Sequence, residues 1–355
     1  DCGKKMPHNK YGGHGCVLRR DVNEMKKDLA EMKASQLKVM NEMKESLERL
    51  TIAFESFQKS GNSKNTDIIV IAGKDPKTNK RFSSVERFNL LTQTWTKLPA
   101  MKIARWAFSA VMYKNQILVC GGSVTEKPDG CVDSIEMFDL NSTPLQWREF
   151  FANLPLKVSG HKCVVYGNRL FIIGGLTNKG EILDTIFELL LVPPYSSKLL
   201  CHMKKKRAFH GVELFGNKVL IPGGVGAIRD VEIFDIARNE CVEMKPLPSP
   251  VYGMGIARRG DTMLLVGGLN NKNEVSYEII EYDFKTGQSK VIFTMKNEQA
   301  GCLCVYRENT LIVIGSTRDD LKAMYCFDLV SSSWTKLPSI AEERIFACAV
   351  TINMD

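Results

Sequence analysis

The chain has 355 residues and carries 48 Lys and Arg against 40 Asp and Glu, a net charge of +8. With 44% hydrophobic and 25% charged residues it has a globular composition, which excludes a wholly disordered chain and a fibre. The mild basicity falls short of a dedicated nucleic-acid binder, and no run of about 18 apolar residues offers a membrane-spanning helix.

Residues 1–16 are rich in Gly, His and Cys, with Cys2, His8 and His14 at C-x5-H-x5-H spacing. Thiolate and imidazole ligands suit tetrahedral zinc, although two histidines in a Gly-rich stretch are also ordinary loop residues. Residues 17–59 contain neither Gly nor Pro and abound in Met, Glu, Lys and Leu, which predicts a helix. Some 42 residues at 1.5 Å each would reach roughly 60 Å. With Val22 at an a position, Leu29, Gln36, Met43, Leu50 and Phe57 follow at a, and Met25, Met32, Val39, Ser46 and Ala53 fall at d. That seam is interrupted, but so long a helix seldom stands alone, so a coiled coil and a homodimer are expected. Residues 60–66 read as a linker.

From Asp67 onward the chain repeats with a period of about 45–50 residues, the mark of stacked supersecondary units. Six apolar runs end in small residues: Ala72-Gly73, Gly121-Gly122, Gly174-Gly175, Gly223-Gly224, Gly267-Gly268 and Gly315-Ser316. An aromatic and a polar residue follow each, at Phe88-Asn89, Phe138-Asp139, Phe187-Glu188, Phe234-Asp235, Tyr282-Asp283 and Phe327-Asp328. Trp95, Trp147 and Trp334 complete three of the units, and Trp-Thr-Lys-Leu-Pro occurs at both 95–99 and 334–338. Unit three has Glu188 for Asp and no Trp, which predicts the least regular unit.

These residues resemble the kelch repeat. The resemblance covers residues 67–355 and implies an all-β, six-bladed β-propeller with four antiparallel strands per blade. The series opens on a double-glycine strand, so blade one lacks an inner strand. The C-terminal run Ile345-Phe346-Ala347-Cys348-Ala349-Val350 matches the inner-strand run at 106–111 and is expected to close the ring. Residues 1–16 similarly resemble the tail of a B-box zinc finger. Together with the helix and the propeller this arrangement resembles the tripartite-motif type. The resemblance implies zinc at Cys2, His8 and His14, in a finger of which this chain holds only part, and no cofactor for the propeller.

The eleven cysteines lie mostly singly inside apolar runs and read as buried, reduced thiols. Asp1 with no apolar leader after it reads as the start of an internal or C-terminal piece of a longer, cytoplasmic protein. No catalytic motif is found: neither G-x-S-x-G, nor H-E-x-x-H, nor a P-loop. A propeller that only binds is therefore favoured, ahead of a catalytic one.

In kelch proteins partners are usually gripped by the connections leading into each inner strand and those following the double glycine. These loops carry +6, against +4 for residues 67–355 as a whole, so one face is basic. Arg105, Arg207 and Arg344 recur at one position of that face, Trp106 and Tyr252 share the next, and His161 and His210 occupy another. Arginine forks beside aromatics suit carboxylates or phosphates, which makes Arg105, Trp106, His161, Arg207, Tyr252 and Arg344 the expected partner-binding set. The competing reading is that the arginines belong to the repeat and merely hold the loops. The expected function is a scaffold recruiting an acidic or phosphorylated protein segment, as in the substrate-recognition part of a ubiquitin ligase whose RING would lie upstream. The alternative is a cytoskeletal, actin-cross-linking kelch protein.

Overall fold

The computed structural model describes residues 25–41, 43–44, 65–126, 128–295, 301–315 and 321–354. The chain divides into two compact units, Asp1–Ser63 and Lys64–Asp355.

In the first unit the described residues, 25–41 and 43–44, are helical, with their side chains exposed. This is one short helix, not the long coiled coil expected over 17–59; the rest of that span and the residues Cys2, His8 and His14 lie outside the described residues. No described helix is long and apolar enough to cross a membrane.

The described part of the second unit is six four-stranded antiparallel sheets and one short two-stranded ladder of Val158–Ser159 with Leu176–Thr177. Blades two to six follow in chain order, each running from inner to outer strand. Blade two, for instance, is Ser109–Tyr113, Gln116–Cys120, Ile135–Asp139 and Trp147–Glu149. Blade one is completed by the chain's end: Cys348–Met354 lies beside Asn65–Lys74, with Ile68 opposite Thr351 and Val70 opposite Ala349. The expected closure is present, and it covers the apolar edge at 68–71.

The repeat marks act where blades meet. Apolar residues from both faces of each sheet are buried against neighbouring blades, as where Ile69 and Val85 of blade one pack with Ile117 and Phe138 of blade two. Trp95 and Trp147 pack on Phe88 and Phe138 at 4.9 and 5.0 Å between ring centroids. Their indole N–H groups donate to the Pro338 and Pro99 carbonyls of the preceding blades, at 2.8 and 2.9 Å. Blade five has Ser289 at that position, and the Tyr282 hydroxyl makes the tether instead, donating to Lys245 O at 2.9 Å. Gly122 shows why the double glycine is needed. Its φ is +95°, and a Cβ would sit 2.7 Å from the Phe108 Cβ and 2.8 Å from Trp106 O.

Blade three corrects the sequence alignment. Ladder register places Leu189 opposite Leu170, as Phe138 stands opposite Ile117 and Phe234 opposite Val219. The counterpart of the repeat aromatic is therefore Leu189, not Phe187. A two-residue offset keeps a strand's face unchanged, so the apolar pattern alone could not reveal it.

Candidate functional site

The connections into the inner strands converge on one mouth of the central channel. Ala107, Gly160, Phe209, Gly253, Gly301 and Phe346 occupy the same position in the six blades, and all have φ between 52° and 65°. Their amides form a belt. Gly160 N donates to Ala107 O, Phe209 N to Gly160 O, Gly253 N to Phe209 O and Gly301 N to Gly253 O, at 2.7–2.9 Å, and Ala107 N donates to Phe346 O at 3.2 Å. Only the belt explains left-handed backbone at Phe209 and Phe346, where a bulky L-residue is strained.

Those two phenylalanines come from opposite blades, four and one, and meet over the channel with ring centroids 5.4 Å apart. Trp106 packs on Phe346 at 5.5 Å, donates its indole N–H to Thr125 O at 3.1 Å, and has the Lys74 ammonium 4.1 Å from its ring centroid. Tyr252 is half-buried on the same rim, its hydroxyl on Asn273 Oδ1 at 2.5 Å. On the connection that leads to Phe209, Lys204, Lys205 and Lys206 are exposed and form no ion pair among the described residues. Trp106 and Tyr252 thus lie where the sequence placed them, while Phe209 and Phe346 were missed. Their signal was present, a Phe at the inner-strand position where three other blades carry Gly.

The three arginines are not available to a partner. Arg105 and Arg207 are 0% exposed and Arg344 is 3% exposed. Arg105 Nη2 donates to Glu136 Oε1 at 2.8 Å, and its Nη1 holds the carbonyls of Gly121 and Ser134. Arg207 Nη2 donates to Glu232 Oε1 at 2.6 Å, with Nη1 on the carbonyls of Ile221, Gly223 and Asp230. Arg344 Nη2 lies 2.7 Å from both Glu86 Oε1 and Glu342 Oε2. The glutamates also bind their loops: Glu136 accepts from the amides of Lys102 and Ile103, and Glu232 from those of Lys204 and Lys205. Burial pulls the Arg105 and Arg344 pKa down against the pull of their carboxylates. The expectation that Arg105, Arg207 and Arg344 grip an acidic segment is corrected: each is a brace folding a loop onto the third strand of its own blade. Their three charges are cancelled by Glu86, Glu136 and Glu232, which halves the free charge of the face.

His161 is likewise buried, at 1% exposure, as is His210. Neither imidazole has a hydrogen-bond partner among the described residues. Burial, reinforced by the Lys162 ammonium, pulls His161 down to about 3, and burial, Arg207 and Lys162 hold His210 well below 6.5. Both are neutral at physiological pH and neither faces a partner. They sit in adjacent blades, three and four, and not across the channel. Among the described residues no group of three or more His, Cys, Asp or Glu could hold a metal ion.

The family profile described as the KLHDC2/KLHL20/DRC7 Kelch-repeats domain matches residues 11–224 and 160–353. The chain belongs to this family. Kelch-like protein 40 of Xenopus laevis is 25% identical over 197 residues, which is 55% of this chain and 31% of that protein. Beta-scruin of Limulus polyphemus is 21% identical over 248 residues, 67% of this chain and 22% of that protein. Kelch-like protein 34 of Homo sapiens is 26% identical over 215 residues, 57% of this chain and 32% of that protein. The chain spans about a third or less of the length of these relatives. Among solved structures, that of YjhT superposes with a TM-score of 0.61 at 12% identity, covering 70% of this chain and 88% of that one, a likeness of fold alone.

Proposed function

We propose that this kelch chain is a protein-recognition module whose loop face recruits an acidic or phosphorylated segment of a partner, as the substrate-recognition part of a ubiquitin ligase. The observation that carries the reading is the mouth of the channel. An aromatic cluster of Trp106, Phe209 and Phe346 offers apolar anchorage, and the exposed ammonium groups of Lys204, Lys205 and Lys206, on the connection that leads to Phe209, pair with no carboxylate among the described residues. Aromatic centres ringed by polar groups are where binding energy concentrates, and free lysines steer and select acidic partners. Trp106 and Tyr252 stay in the binding set; Phe209, Phe346 and the three lysines replace the arginines. Cys2, His8 and His14 are retained as proposed zinc ligands, to be tested by the zinc content of the full chain.

The test is binding of fluorescent acidic and phosphorylated peptides to the full chain by anisotropy. Reversing Lys204, Lys205 and Lys206 to Glu is expected to weaken capture at least tenfold, with the thermal unfolding midpoint shifted by no more than a degree or two. Unchanged binding by that variant would refute the basic-face reading.

A second reading, a cytoskeletal cross-linker, has one observation in its favour. The described helix exposes Met25, Leu29, Met32, Leu37 and Met40, an apolar set by which two copies would pair and present two propellers. Co-sedimentation with filamentous actin, set beside light scattering with and without residues 1–60, separates the two. Bundling of filaments by a dimer would favour the cross-linker; a dimer that leaves filaments in the supernatant favours recruitment.

A further inference from the structure

Cys302 and Cys304 lie at the start of the inner strand of blade six, and their Sγ atoms stand 3.9 Å apart. Both residues line the channel cavity, a space of about 160 Å³ that also borders Phe209 and Phe346, and Cys304 is only half-buried. The neighbouring blade makes room for the sulfurs. A Cβ on Gly255 of blade five would overlap the Cys304 sulfur and stand 2.9 Å from that of Cys302. One interface earlier, Gly211 of blade four leaves the same room, and Ile256 of blade five takes it: a Cβ there would stand 2.6 Å from the Ile256 Cδ1. The belt glycines 253 and 301 make Met254 and Ile256 the counterparts of Cys302 and Cys304. Two large apolar side chains at one interface are thus two small thiols at the next.

A buried thiol often serves as nothing more than a small apolar side chain. What sets this pair apart is that two sulfurs meet at the wall of a cavity. A disulfide would require them to close to about 2.05 Å. A metal ion requires no such closure, because at about 2.3 Å, the length of a metal–thiolate bond, one ion reaches both sulfurs from the side. Among the described residues no third His, Cys, Asp or Glu joins them, which falls short of the four ligands of a structural zinc site. Thiolates select soft ions, and the cuprous ion is satisfied by two sulfurs. No Asp or Glu lines the cavity to hold a hard cation, and Lys162 is the charged residue of its lining. The present bonds are weak: Cys302 donates to Val266 O at 3.5 Å.

We propose that Cys302 and Cys304 form a dithiol site for a soft monovalent metal ion, of which Cu⁺ is the type, entered from the channel cavity. The ion replaces the two S–H protons, which leave to solvent, and forms two metal–sulfur bonds with no change of oxidation state. The site does not rest on the recruitment reading, because it lies at the interface of blades five and six and uses no residue of the proposed binding set.

The experiment titrates the full, reduced chain anaerobically with Cu⁺ in the presence of a chromogenic Cu⁺ chelator, against which single thiols do not compete. The wild type is expected to hold one equivalent more than Cys302→Ser or Cys304→Ser. Cys2→Ser is expected to keep that equivalent, which separates this site from the proposed zinc ligands of residues 1–16. A second measurement needs no variant. Cu⁺ is expected to slow alkylation of Cys302 and Cys304 in the wild-type chain at least tenfold, read residue by residue by mass spectrometry, so an unstable variant does not remove the test. Zn²⁺ at the same concentration is expected to leave both alkylation rates unchanged. If the serine variants hold as much Cu⁺ as the wild type, or if Cu⁺ leaves both rates unchanged, the dithiol site is refuted. Protection by Zn²⁺ equal to that by Cu⁺ would overturn its assignment to a soft monovalent ion.

Discussion

Blades one, two and four hold their entry loops with a buried ion pair, and blades three and five hold the same loops with apolar contacts. The equivalences are set by the backbone. Val158 and Val251 stand two residues before the belt glycines, where Arg105, Arg207 and Arg344 stand before Ala107, Phe209 and Phe346. Ladder register sets Phe187 and Ile280 against Glu136, Glu232 and Glu86. Val158 and Val251 are 0% and 1% exposed, and Phe187 and Ile280 pack in the same apolar clusters as their valines. Arginine and glutamate are thus kept together or lost together. Such an exchange is physically reasonable, because a buried pair stabilises little more than a well-packed apolar pair of similar volume, whereas half a pair leaves an uncompensated charge. The comparison teaches that the arginine belongs to the loop's support, and that its recurrence in three blades reflects packing of the repeat.

The harshest way to break a braced blade is to remove its closing strand. Arg344 and Glu86 tie the C-terminal segment to blade one, and Cys348–Met354 supplies its inner strand. Truncation after Arg344 loses the pairing of residues 65–71 and the burial of Val350 and Ile352, about 1.5–3 kcal/mol for each side chain. Against a total near 5–15 kcal/mol, loss of cooperative unfolding and aggregation are expected by urea titration and size-exclusion chromatography. A truncated chain that stays monomeric and cooperatively folded contradicts the closed ring.

Removing half of one brace comes next. Arg207→Val should cost about 3–5 kcal/mol because it strands the Glu232 carboxylate at 0% side-chain exposure. Arg207→Val with Glu232→Ile, which rewrites blade four in the manner of blade five, should recover most of that loss. Chemical denaturation of the two single variants and the double variant measures the coupling directly. Additive losses would contradict the comparison.

Much of this architecture is legible in the sequence because propeller blades repeat. Six copies of the small-residue pair, four of them Gly-Gly, fix the blade number, and the leftover run at 345–350 fixes the closure. The site was only partly legible. A loop arginine reads as solvent-exposed when taken alone, since burial depends on a partner some 25–31 residues later in blades two and four and 258 residues earlier in blade one. The signal that would have decided it was internal: Glu stands two residues before the repeat aromatic only in the blades that carry the arginine. Phe209 and Phe346 escaped for a different reason. Their left-handed backbone is imposed by hydrogen bonds between blades, which no local propensity records.

The central claim is that the arginines support the loops while the lysines and aromatics of the mouth do the binding. Acidic-peptide anisotropy on the folded Arg207→Val/Glu232→Ile variant tests it most directly, with Lys204, Lys205 and Lys206 left in place. The account predicts an affinity within about twofold of the wild type, because that swap keeps every ammonium group and ring of the proposed set and removes only the Glu232 acceptor of the Lys204 and Lys205 amides. A variant that unfolds like the wild type yet no longer binds the peptide would contradict it, and would return Arg207 to the recognition surface.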